Sequence, residues 1–92
     1  MISDKDQVEL QLLLAKWLTK LREEKGLSQE ALGTQIGKGQ SDIAKMESGN
    51  KKVLVTDLLK WMKALDVPLE SLEAGLGPLY KKLSGKKSLW NK

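Results

Sequence analysis

Hydrophobic positions recur along the first quarter of the chain with the period of an α-helix. Leu10, Leu13, Leu14, Trp17, Leu18 and Leu21 fall at i, i+3, i+4, i+7, i+8 and i+11, one continuous apolar stripe. Ser3, with Asp6 three residues later, has the spacing of an N-terminal cap. Lys25-Gly26 places a cation in the last turn and then a residue free to take left-handed backbone. The pattern predicts one long helix from about Ser3 to Lys25.

Shorter periods follow. Ser28 caps a second helix in which Leu32 and Ile36 point inward and which Gly37 ends. After Lys38-Gly39 a third helix runs to about Ser48, with Ile43 and Met46 inward and Gly49 as its stop. A fourth covers about Val55 to Leu65 and buries Val55, Leu58, Leu59, Met62 and Leu65, with Trp61 also in the core. Pro68 suits the first turn of a short fifth helix ending at Ala74, and Gly75, Gly77 and Pro78 mark a domain edge. The fold class expected is all-α: a five-helix domain over residues 1–76, then a short basic tail over 77–92 in which only Leu79 to Leu83 forms a turn of helix.

Composition narrows the chemistry. Ninety-two residues suit one domain with a thin core. The chain has neither cysteine nor histidine, which excludes disulfides and thiolate metal sites and removes the commonest general base and zinc ligand. No paired carboxylates, phosphate loop or nucleophile with a base stand in a catalytic arrangement, so the expectation is a non-enzyme without cofactor or metal. The longest apolar runs, such as Leu12 to Ala15, are too short for a membrane span, and no signal peptide precedes them, so a soluble cytoplasmic protein is expected.

Charge changes the picture less than its total suggests. The net charge is +4, yet residues 1–73 carry 11 basic and 12 acidic groups, and the five lysines beyond them meet no acid. The positive excess belongs to the tail. A nucleic-acid site in the body must therefore rest on local arrangement.

That arrangement exists between residues 28 and 48. Two short helices joined by Gly37-Lys38-Gly39 form a helix-turn-helix candidate. At 100° per residue, Ile43 and Met46 share one side of the second helix, while Ser41, Ala44, Lys45 and Ser48 share the other and Gln40 projects from its start. Short hydroxyls, a methyl and one long cation suit a major groove, where base edges present donors, acceptors and the thymine methyl.

The run Leu21-Arg-Glu-Glu-Lys-Gly-Leu-Ser-Gln-Glu-Ala-Leu-Gly-Thr-Gln-Ile-Gly, followed by Gln40-Ser-Asp-Ile-Ala-Lys-Met-Glu-Ser-Gly, resembles the Cro/CI-type (Xre family) helix-turn-helix. Leu58-Leu-Lys-Trp-Met-Lys-Ala-Leu-Asp-Val resembles that family's fourth helix and its exit, so the similarity covers about residues 15 to 74. It implies a lambda-repressor-like fold and a sequence-specific regulator of transcription, a homodimeric repressor on a two-fold related DNA operator that reads the major groove with helix 39–48.

By position, the resemblance implies base contacts from Gln40, Ser41, Ala44 and Lys45, and phosphate contacts from Ser28, Gln29, Ser48, Asn50, Lys51 and Lys52. Taken alone, Lys51 and Lys52 read equally well as solvated charge. It also implies a structural ion pair between Arg22, the only arginine, and Glu47. Five positions depart from the family pattern. Gly39 stands where a Ser or Thr cap is usual, Lys38 where an apolar turn residue is, and Gly33 where alanine is. Leu54 takes the place of a polar cap, and Asp42 flanks the groove-facing side, where it would repel phosphate or accept from cytosine N4. A rival class is an antitoxin or adaptor whose main partner is a protein, held by Leu79, Tyr80, Leu83 and Trp90 of a tail that reads otherwise as a solubilising segment.

Overall fold

The computed structural model describes residues 3–84. Five helices follow one another: α1 (Asp4–Glu24), α2 (Gln29–Ile36), α3 (Gln40–Glu47), α4 (Val55–Ala64) and α5 (Glu70–Ser84). Among the described residues there is no strand, and no helix is long and apolar enough to cross a membrane.

The helix ends follow local chemistry. Ser3 accepts from the Asp6 N–H while Asp6 accepts from the Ser3 N–H, a reciprocal box that starts α1. Ser28 Oγ accepts from the Ala31 N–H at 3.0 Å and starts α2. Gly37 ends α2 in left-handed backbone, φ 74°, its N–H bonded to the Gly33 carbonyl.

The core gathers Leu18 from α1, Leu32 and Ile36 from α2, Ile43 and Met46 from α3, and Leu58, Trp61, Met62 and Leu65 from α4 and its end. Trp61 is its centre. The side chain is fully buried, and its indole N–H donates to the Leu18 carbonyl at 3.2 Å, so the one polar group of the ring is satisfied.

Two expectations about α4 and α5 are corrected. Val55 and Leu59 were expected in the core but are 71% and 47% exposed. Trp61 turns α4 so that the stripe Leu58, Trp61, Met62 and Leu65 faces inward, which leaves Val55 and Leu59 at the far edge. The fifth helix does not span Pro68 to Ala74. Pro68 lies in the turn before it, and the helix continues through Gly75, Gly77 and Pro78 to Ser84, so the boundary expected between residues 76 and 77 falls inside α5.

Gly75 is tolerated there for a specific reason. A Cβ at that position would overlap the indole of Trp17, so the missing side chain is what lets α5 close on α1. Leu79 and Tyr80 belong to this helix. Lys86, Lys87 and Trp90 of the expected tail lie outside the described residues.

Candidate nucleic-acid interface

The packing of α3 decides which of its residues reach solvent. Ile43 and Met46 are fully buried, which fixes the helix about its axis. Gln40, Ser41, Lys45 and Ser48 are exposed on the other side and Ala44 is half-buried among them. Asn50 and Lys52 are exposed in the segment that follows. Of the other residues singled out for DNA contact, Ser28 and Lys51 are exposed and Gln29 is half-buried.

A chain of polar side chains links α1 to the start of α3. Arg22, in the last turn of α1, donates through Nε to Glu47 Oε2 at 2.6 Å and through Nη2 to Glu47 Oε1 at 3.0 Å. Its Nη1 donates to the Leu27 carbonyl at 2.6 Å. The fork therefore ties α1, the loop after it and the end of α3. Both side chains are nearly buried. The hydrogen bonds it donates to Glu47 hold the Arg22 guanidinium above its already high ordinary value, against the opposing effect of burial.

Glu47 is shared further. Its Oε1 also accepts from Gln29 Nε2 at 2.9 Å, and Gln29 Oε1 in turn accepts from Gln40 Nε2 at 2.7 Å. Gln29 is half-buried, and its amide is oriented at both ends. Gln40, at the start of α3, is consequently held by a series of bonds that begins in α1.

Three departures from the family pattern share one explanation. Lys38 in the turn reaches Asp57 Oδ1 at 3.4 Å, and the other carboxylate oxygen of Asp57 accepts from the Leu54 N–H at 3.3 Å. Asp57 is 5% exposed. Leucine cannot accept a hydrogen bond, so no side chain caps the first-turn N–H groups of α4; Asp57 holds the Leu54 N–H and sets a negative charge at the helix start. The Lys38 backbone runs so close to α2 that a Cβ on Gly33 would overlap the Lys38 carbonyl oxygen. Gly33 is thus glycine because Lys38 lies where it does. Asp57 was missed in the sequence, where it reads as an ordinary first-turn acid.

Gly39 has the extended backbone of a capping residue, φ −76° and ψ 161°, without a side chain to complete the cap. Asp42 and Lys51 form a further unforeseen pair, Nζ to Oδ1 at 3.2 Å. Lys51 chiefly, with Lys38 and Lys45 adding to it, holds the Asp42 carboxyl below the usual aspartate range. Nothing in a nine-residue spacing signals this contact, because it depends on chain reversal after Gly49.

Two short helices set across a tight turn, the second with a buried apolar side and an exposed polar one, define a helix-turn-helix protein of the kind that binds DNA. The Helix-turn-helix family model (HTH_3) matches residues 18–72, more than half of the chain, and the protein belongs to this Cro/CI-type, Xre-like family of DNA-binding regulators of transcription. The family is regulatory rather than enzymatic. No curated protein gives a significant match.

Proposed function

We propose that the protein is a sequence-specific transcriptional regulator, a cytoplasmic homodimeric repressor that reads the major groove with α3 and acts by binding alone, without catalysis. The observation that carries the reading is the exposed polar side of α3, braced at its start by the bond from Gln40 to Gln29. Gln40 suits adenine N6/N7, Lys45 suits guanine O6/N7, and Ser41 with Ala44 offers a hydroxyl and a methyl between them. Ser28, Gln29, Ser48, Asn50 and Lys52 flank that side and suit phosphate; Lys51 belongs to the same segment, with its ammonium on Asp42.

One recognition helix spans only a few base pairs, so useful affinity calls for two copies on half-sites about one helical turn apart. What supports pairing is the surface at α5, where Leu69 and Tyr80 stand exposed beside a groove of about 490 Å³ that also includes Leu72 and Leu76. Selection from random duplex DNA at stated salt tests the proposal. Enrichment of a palindrome with half-sites one turn apart supports it. No enrichment, with a non-identical protein co-purifying instead, would replace it with the antitoxin or adaptor reading.

A further inference from the structure

We propose that Asp42 is a specificity-determining residue of the recognition helix: its carboxylate cancels the charge of Lys51 on random DNA and accepts from a base amino group on a matching site. The inference rests on the DNA-binding reading above.

The backbone fixes the partners. The N–H groups of Asn50 and Lys51 both donate to the Lys45 carbonyl, at 2.9 and 3.1 Å, so the chain turns back against the end of α3. From there the Lys51 side chain runs along the helix and its Nζ donates to Asp42 Oδ1 at 3.2 Å. Asp42 Oδ2 takes no hydrogen bond from any described residue. Lys38, whose ammonium is already on Asp57, and Lys45 also lie near enough to favour the charged carboxylate.

The chemistry follows from that position. A carboxylate in the first turn of α3 is an acceptor only. It matches cytosine N4 or adenine N6 and opposes phosphate oxygens, guanine O6 and thymine O4. Paired with Lys51 it makes the spot electrically neutral, so on a random sequence Lys51 displaces no counterion from the DNA. An exposed pair of this kind is worth little to the fold. Its consequence lies in what it denies to non-specific binding.

The test measures binding to a random-sequence duplex as salt is varied, for the parent, Asp42→Asn, Asp42→Ala, Lys51→Ala and the double change Asp42→Asn with Lys51→Ala. Both side chains are exposed, and a thermal melt of each variant checks that the fold is kept. Asp42→Asn and Asp42→Ala should each steepen the dependence of log K on log salt by about 0.9, one extra phosphate neutralised. Their advantage over the parent then shrinks about 3.5-fold between 50 and 200 mM salt. Lys51→Ala should leave the parent's slope unchanged and should abolish the gain when combined with Asp42→Asn. In a selection, the parent should enrich cytosine or adenine at one position per half-site that Asp42→Asn no longer distinguishes.

Unchanged slopes in the Asp42 variants, or a shallower slope from Lys51→Ala alone, overturn this inference and leave DNA binding standing. An identical selected motif from the parent and Asp42→Asn also overturns it. Failure of the parent to bind any duplex at low salt overturns both the inference and the reading beneath it.

Discussion

The Arg22 guanidinium and the Glu47 carboxylate meet in parallel, Nε to Oε2 at 2.6 Å and Nη2 to Oε1 at 3.0 Å, although 25 residues separate them. Glu47→Gln leaves the guanidinium nearly buried with half its compensation gone, and should cost about 3 kcal/mol, the scale for breaking a buried pair from one side. Arg22→Lys should cost less but still measurably, because an ammonium cannot serve Glu47 twice and the Leu27 carbonyl as well. Urea unfolding of the two variants, read at equal slope, checks both values. Stability equal to the parent's in Glu47→Gln would show that the pair contributes nothing.

Gln29 is expected to act on base recognition at one remove. Gln29→Ala removes the acceptor that orients Gln40, so discrimination should fall at the base pair proposed for Gln40. Gln40→Ala should lose about 1–3 kcal/mol of discrimination at that same pair. Lys52→Ala should instead lower affinity for every sequence and make the salt slope shallower by about 0.9. Binding to a selected site and its single-base substitutions separates the two behaviours. Identical profiles for Gln40→Ala and Lys52→Ala would overturn the division into base and phosphate contacts.

Gly33→Ala should destabilise the domain although alanine is the better helix former. The propensity gain is about 1 kcal/mol, whereas the new methyl meets the Lys38 carbonyl oxygen and forces the turn to move, at about 1–3 kcal/mol. Gly75→Ala should fail in the same direction, through the Trp17 indole. Thermal melts decide the matter, and a rise in midpoint for either would show that the close approach is absent in solution.

The Asp42 carboxyl should titrate below the ordinary aspartate range, with Lys51 as the main cause and Lys38 and Lys45 contributing. A depressed carboxyl stabilises the folded state above its unfolded pKa, and that contribution fades as pH falls through the folded value. Lys51→Ala should move the titration upward. Following the side-chain carboxyl carbon by NMR through acid pH measures both positions, and an unmoved midpoint in Lys51→Ala would mean that the pair does not persist in solution.

Much of the domain could be read from periodicity and punctuation. The stripe from Leu10 to Leu21, the serine caps at Ser3 and Ser28 and the stop at Gly37 are local signals, and local hydrogen bonding and backbone freedom realise them. The buried side of α3 was legible because Ile43 and Met46 are the only large apolar groups in that helix. With them inside, the polar side had to face out.

The misreadings arose where a choice between neighbours needed a partner. Val55, Leu58, Leu59, Trp61, Met62 and Leu65 offered several inward faces, and the structure buries the one that carries the Trp61 indole, bonded to the Leu18 carbonyl. Gly75 and Pro78 read as an end to the helix, whereas Trp17 occupies the space that makes Gly75 suitable inside it. Lys38, Leu54 and Gly33 looked like three separate departures until the buried Asp57 carboxylate and the path of the Lys38 backbone joined them.

The sequence by itself determined the helices, the apolar side of each strongly patterned one and the polar segment proposed to face DNA, because those depend on residues within a few turns of one another. Only the tertiary structure decided which charges are spent on the protein itself: Glu47 on Arg22 and Gln29, Asp57 on Lys38, and Asp42 on Lys51. A carboxylate's partner is set by distance in space, and distance in space is not written in spacing along the chain.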